Sequence, residues 1–538
     1  MKKWIILFLS AGILYGEVDY LNMGLVAHQK GLYNLSNTQL EKYIQQNPDG
    51  QYLDYAYLLY AKNLINLGKF EESKEKLTFL IENFPQSQYL KDAYTYTILV
   101  CLELSELNTS LEFYNVYIKK WGENKEIENQ VCGKLIQRGI DSFQKGNYKK
   151  AIKCFNEVLT ISNDTSFLDI ANYYTALIYY QKNDFSKAKE LFLKIKGENS
   201  KILPDVYLKI GDCYLNLKDY NEAKRYYEKV VSTYPETETA NWAMYQIAVI
   251  KKKEGKLNEG ELILNRIKTN DNDLKLQILQ TLSEIYILEE KWTDAEKTIL
   301  EIFQQFPSEK NPANYIKLAF INFNMKNMEN SISYFNSALN LNPSDELKEK
   351  IYFGLGYTYY LNGDIEKSFS FWEKIEKQFP ESSFLPEIYY IKGKKYFDMK
   401  EFTKSEKYLK NLVENYKESS FITQAIPLLI QIYIEEGNYK KAEEICQEVK
   451  NKNEEINFLY GKTLYLTKEY EKAKYIFETT DIKNPQFKVE SLYYLAQIYL
   501  YEGKEEKGKE KLLEIVTYYP QFKEFYEKAE KQLKKYEK

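Results

Sequence analysis

Few side chains in this sequence could do chemistry. His28 is the single histidine among 538 residues, so any Ser/His or Cys/His nucleophilic pair would have to be assembled around it. It stands on the first predicted helix with no companion motif, which points to a solvated surface position. Cys101, Cys132, Cys154, Cys213 and Cys446 are odd in number and scattered. With one histidine they cannot supply a standard zinc site, and their spacing is not that of a disulfide framework. They read as small apolar side chains of a core. No GxxxxGK phosphate loop and no GxGxxG after a strand occurs. Carboxylates are plentiful, but stretches such as Leu288–Lys297 place them at the ordinary spacing of a solvated helix face, which gives no support to paired-acid glycosidase chemistry. The sequence therefore predicts no catalytic residue, no metal and no cofactor.

The elements that would have to position a binding site are written as a repeat. About every 35 residues the chain sets down a small residue, an aromatic, a second small residue, a large apolar residue and often a proline. One copy is Gly211, Tyr214, Ala223, Tyr227 and Pro235; another is Gly356, Tyr359, Ser368, Trp372 and Pro380. The second small position stays Ala, Ser or Gly from Ser36 to Gly508, and four residues on comes a large residue, from Leu40 to Leu512. Residues four apart share a helix face, so both belong to a buried stripe. Gly211 and Ala223 are expected to let two antiparallel helices approach. Gly68, Gly146, Gly363 and Gly437 stand between the helices, where a left-handed residue ends the first. Proline closes the second helix, and Ser87, Thr237 and Ser382 follow as candidate caps of the next.

This pattern resembles the tetratricopeptide repeat. The resemblance implies an all-α, right-handed superhelical solenoid of antiparallel helix pairs, about fourteen of them, because one pair cannot bury its apolar face alone. We expect one continuous array over 17–522, with altered spacing around Trp121–Gly133 and Lys450–Glu454. Lys523–Lys538 is an amphipathic, highly charged helix suited to capping the open end. In tetratricopeptide proteins the first helix of each pair lines the concave face, at fixed offsets from the first small residue. Those positions hold Tyr173, Tyr180, Trp242, Tyr245, Phe320, Phe323, Phe353, Tyr357, Tyr360, Tyr390, Phe397, Phe458, Tyr465 and Tyr493. Phe353 and Tyr357 stand where relatives that grip a C-terminal carboxylate carry Lys and Asn. Two readings stay open for the stripe: packing between successive first helices, or an apolar groove for a peptide.

Location is suggested by the N-terminus. Lys2 and Lys3 precede an apolar run, Trp4–Gly16, in the layout of a secretory signal over 1–16. It is short for a transmembrane span, so no integral span is expected after cleavage; retention as an inner-membrane anchor is the alternative. Ile13 replaces the Cys that a lipoprotein signal requires, so lipidation is not expected. Net charge is −4 with pI near 5.7, mixed along the chain, which argues against nucleic acid. The repeat endings, such as Asn83–Tyr94, Thr233–Ala248 and Gln378–Phe397, look like those of bacterial envelope proteins. They are similar in flavour to the lipoprotein of the outer-membrane β-barrel assembly machine and to the periplasmic coordinator of the Tol–Pal system. The resemblance implies a periplasmic, non-enzymatic adaptor whose partners are envelope-assembly proteins. An alternative is a membrane-anchored organiser that tethers peptidoglycan, secretin, pilus or polysaccharide-export components through its outer surface. Some muramidases also carry a helical superhelix, but the repeats leave no room for their catalytic domain.

Overall fold

The computed structural model describes residues 19–197 and 201–536. The expected signal segment, with Ile13, lies outside the described residues. Among the described residues the chain forms twenty-nine α-helices and no strand. They run as fourteen antiparallel pairs, from Tyr20–Gln29 with Tyr33–Gln46 to Pro485–Tyr501 with Glu505–Tyr518, and one last helix, Lys523–Leu533. This is the expected all-α helix-pair solenoid. The helices group into two compact units, one ending at Ile285 and the other starting at Tyr286.

The turn inside each pair is the same device throughout. Two residues before each second helix the backbone is left-handed, at Gly31, Gly68, Gly146, Gly255, Gly363, Gly437 and Gly503. In the other pairs the residue is Ser105, Asn183, Lys218, Glu290, Lys326, Lys400 or Lys468, with φ of 56–66°. The next N–H then reaches back five residues, as Lys69 N does to Leu64 O (2.9 Å) and Asn327 N to Asn322 O (2.9 Å). This is the Schellman closure, which satisfies carbonyls that the helix end leaves free.

Packing within a pair depends on two small positions with different tasks. The second small residue lies against the backbone of the first: Ser36 Oγ donates to Gly24 O (2.7 Å), Ser73 Oγ to Ala61 O (3.0 Å) and Ser405 Oγ to Gly393 O (2.7 Å). The first small side chain instead makes room for the large residue sixteen positions on. A Cβ placed on Gly139 would lie 2.5 Å from the Phe155 ring, on Gly211 2.5 Å from Tyr227, on Gly356 2.2 Å from Trp372, and on Gly461 2.6 Å from Phe477. Gly211 therefore accommodates Tyr227 rather than the side chain of Ala223. In the pair starting at Ile422 the sizes are exchanged: Ile430 is large and the residue sixteen on is Cys446, both fully buried.

The irregular spacing goes into helix length. The stretched copy has a twenty-residue first helix, Lys125–Gln144, and the shortened one has a ten-residue second helix, Tyr439–Glu448. Lys523–Leu533 buries Phe525 and Ala529 against Val489, Leu492 and Leu512, as expected of a cap. Of the proposed caps, Thr237 accepts from Ala240 N (3.1 Å) at the start of a helix. Ser87 and Ser382 instead accept from the N–H two residues on, in the turn before the helix begins. All five cysteines are buried, and burial pushes Cys132, Cys213 and Cys446 up to about 12. His28 is half-buried rather than solvated, with Nδ1 2.6 Å from Asn63 Oδ1.

Candidate functional site: the aromatic faces of the first helices

The fourteen stripe residues all lie on first helices, so their placement follows from the repeat register. Each unit carries its own set. In the unit ending at Ile285, Tyr173 is half-buried, lies edge-on to Phe192, and donates from its hydroxyl to Asp205 Oδ2 of the next pair (2.6 Å). Tyr180 donates to Asp212 Oδ2 (3.4 Å), the carboxylate that also receives Tyr227 Oη (2.9 Å) and Lys209 Nζ (3.1 Å). Burial, followed by the neighbouring Asp, pushes both phenols well above the usual tyrosine range. Trp242 Nε1 donates to Asp271 Oδ2 (3.1 Å), and Tyr245 Oη lies 3.2 Å from Thr281 Oγ1. Here every stripe residue has its polar tip engaged by the following pair.

In the unit starting at Tyr286 the same register is used by rings. Phe353 stacks on Phe384 (centroids 4.2 Å), Tyr390 on Phe421 (5.4 Å) and Phe458 on Phe487 (4.8 Å), each partner belonging to the next pair. Phe323 meets Tyr357 edge-on at 5.9 Å, so these two positions join successive first helices. Tyr360 tilts against Trp372 and Phe397 against Phe402 within their own pairs. Tyr465 packs on Tyr494 (4.6 Å), and Tyr493 on Phe525 of the last helix (5.6 Å). Phe458 is buried at 3% exposure, while Phe320 stands out at 47%, edge-on to Trp292. The remaining members are half-buried.

Sequence reasoning missed the partners. Asp205, Asp212 and Asp271 carry no mark of their role, being ordinary acids of helix starts and faces. Phe384 and Phe421 did leave a signal: Glu381–Phe384 and Glu418–Phe421 both read Glu-Ser-Ser-Phe just before a first helix. The arrangement offers flat, half-covered apolar surface and tethered phenols. Among the described residues no group of three or more His, Cys, Asp or Glu side chains is placed to hold a metal ion.

The geometry defines a helical-repeat scaffold, and comparison with known proteins narrows the class. Tetratricopeptide-repeat family models match residues 55–87, 312–345, 351–382 and 490–521. A model described as anaphase-promoting complex, cyclosome, subunit 3 matches 144–230, and a PPR repeat model matches 428–454. No curated protein matches the sequence significantly. Among solved structures, the C-terminal part of a TPR repeat-containing protein from Cytophaga hutchinsonii is similar, at 16% identity and a TM-score of 0.39, over 46% of this chain and 96% of that one. The Cut9–Hcn1 hetero-tetramer of the APC/C is similar at 12% identity and a TM-score of 0.26, over 97% of this chain and 98% of that one. The chain is built from tetratricopeptide-type helix pairs, and tetratricopeptide-repeat models match four separate stretches of it.

Proposed function

We propose that this scaffold works in the bacterial cell envelope, exported to the periplasm, and that it receives segments of envelope-assembly proteins on the aromatic faces of its first helices. The observation that carries the binding part is Phe320. A large apolar ring 47% exposed, in register with the Phe323–Tyr357 contact, is the kind of anchor that protein interfaces bury. The envelope location rests on the basic start and apolar run of residues 2–16 and on the flavour of the repeat endings.

The test is a pull-down of the full chain from crosslinked native envelope, wild type beside Phe320→Ala. Phe320 is the right probe because its removal leaves the stacked pairs of the neighbouring helices intact. Envelope proteins recovered with wild type and depleted with the variant, at unchanged helicity and melting, support the reading. Equal recovery with both would move binding off this face. N-terminal sequencing of the mature chain tests export separately: a start at Glu17 supports a cleaved signal, and an intact Met1 start supports the anchored alternative.

A further inference from the structure

Several Lys–Glu pairs link one repeat to the next. Lys74 meets Glu106 at 2.6 Å, Lys441 meets Glu406 at 3.5 Å, and Lys474 meets Glu502 at 2.6 Å. Between the second helices Leu107–Trp121 and Tyr148–Ile161, with Leu135 and Arg138 of the long helix Lys125–Gln144 as its floor, lies a cleft of about 400 Å³. Arg138, Lys150 and Lys153 all line it, and none of the three makes an ion pair within 4 Å, although Glu112 and Glu157 line the same cleft. Its apolar wall is Leu107, Leu111 and Leu135.

From this geometry we infer a second interaction site, distinct from the aromatic faces: the cleft receives an acidic, leucine-type peptide segment of a partner protein. A partner carboxylate settles among Arg138, Lys150 and Lys153, and an adjacent aliphatic side chain covers Leu107, Leu111 and Leu135. Charge complementarity selects this occupant. Three uncommitted cations outweigh the two acids, and a cation that spends nothing on an internal partner has its full interaction available for a ligand. The volume is that of a small-ligand or side-chain site rather than of a folded domain.

Cys154 makes the site testable through a thiol of the chain itself. It lines the cleft and is 7% exposed, while Cys101, Cys132, Cys213 and Cys446 are 0% exposed. The probe is a short synthetic peptide of alternating Glu pairs and Leu, titrated against the full chain, with N-ethylmaleimide labelling of each cysteine followed by mass spectrometry. The Glu peptide is expected to slow Cys154 labelling selectively. Lys150→Glu combined with Lys153→Glu, both exposed positions, should weaken that protection by at least about tenfold, equivalent to ~1.4 kcal/mol, with helicity unchanged. Protection should also weaken as salt is raised. Equal protection by the same peptide with Gln for Glu would overturn the electrostatic part. Equal protection by inorganic phosphate would reduce the cleft to a bare anion site and overturn the peptide assignment. Unchanged affinity in the double variant would remove the site altogether.

Discussion

The size exchange between the first small residue and the large residue sixteen positions on makes a quantitative prediction at Gly139 and Phe155. Phe155 is fully buried, carries no polar atom, and stacks on Tyr174 at 5.7 Å. A methyl on Gly139 would sit 2.5, 2.7 and 3.0 Å from three of its ring carbons. Ordinary contact begins near 3.4 Å, so the ring must retreat by nearly an ångström in a packed core. Overpacking of this kind costs roughly 1–3 kcal/mol, and replacing Gly by Ala in a helix returns about 1 kcal/mol. Gly139→Ala should therefore destabilise by about 0–2 kcal/mol. Gly133→Ala is the control on the same helix: nothing lies within 4 Å of the new methyl, so it should stabilise by up to about 1 kcal/mol. Phe155→Leu alone leaves space and should cost about 1–2 kcal/mol. Combined with Gly139→Ala it re-creates the Ala–Leu combination that Ala248 and Leu264 already form, and the double variant should be less destabilised than the sum by about 1–2 kcal/mol. Urea denaturation measures the cycle, and hydrogen exchange over residues 125–161 locates the effect, which should stay with neighbouring repeats. Additivity within ~0.4 kcal/mol, or a Gly139→Ala variant as stable as Gly133→Ala, would refute the size-exchange argument.

Other positions respond to the same physics. Lys218→Gly and Lys326→Gly should each stabilise by roughly 1 kcal/mol in thermal melts, because the left-handed backbone at these turns costs an L side chain about that much. Glu502, hydrogen-bonded by Lys474 and Lys504, is held down to about 2; its contribution is present above its unfolded value near 4.3 and is lost as pH falls from there toward 2. Glu502→Gln should flatten that part of the stability–pH curve. Lys392 is fully buried, paired with Glu376 at 2.8 Å and set over the rings of Phe369 and Tyr408. Glu376→Gln, which leaves the ammonium without its counter-charge, should cost about 3 kcal/mol, more than Lys392→Met, whose stem fills the same space; equal losses in denaturation midpoints would contradict this.

How much of this was legible in the sequence depends on how local each feature is. Helix pairing, the buried stripe and the cap over Lys523–Leu533 follow from spacing within one repeat, and the pattern of small and large residues carried them. The left-handed turn was visible only where it is Gly; at Lys218, Glu290 or Lys400 the fold imposes the same backbone on residues that do not advertise it. His28 was misread as solvated because its partner, Asn63, lies in the next repeat. The aromatic stripe shows the same limit most clearly. Tyr173, Phe353, Tyr390 and Phe458 occupy one register position, yet Tyr173 spends its hydroxyl on Asp205 while the other three stack on Phe384, Phe421 and Phe487. The partner arrives about one repeat later in each case, and its chemistry follows that of the residue it receives. An aromatic at this position is therefore first a coupling element between pairs, and only the part of the ring that its partner leaves uncovered is free for another protein. By that measure Phe320, one residue past the first small residue Ala319 and 47% exposed, offers much more surface than Phe458 at 3%. Covered and uncovered rings on one face are what let the same stripe hold successive helices together and still present an anchor.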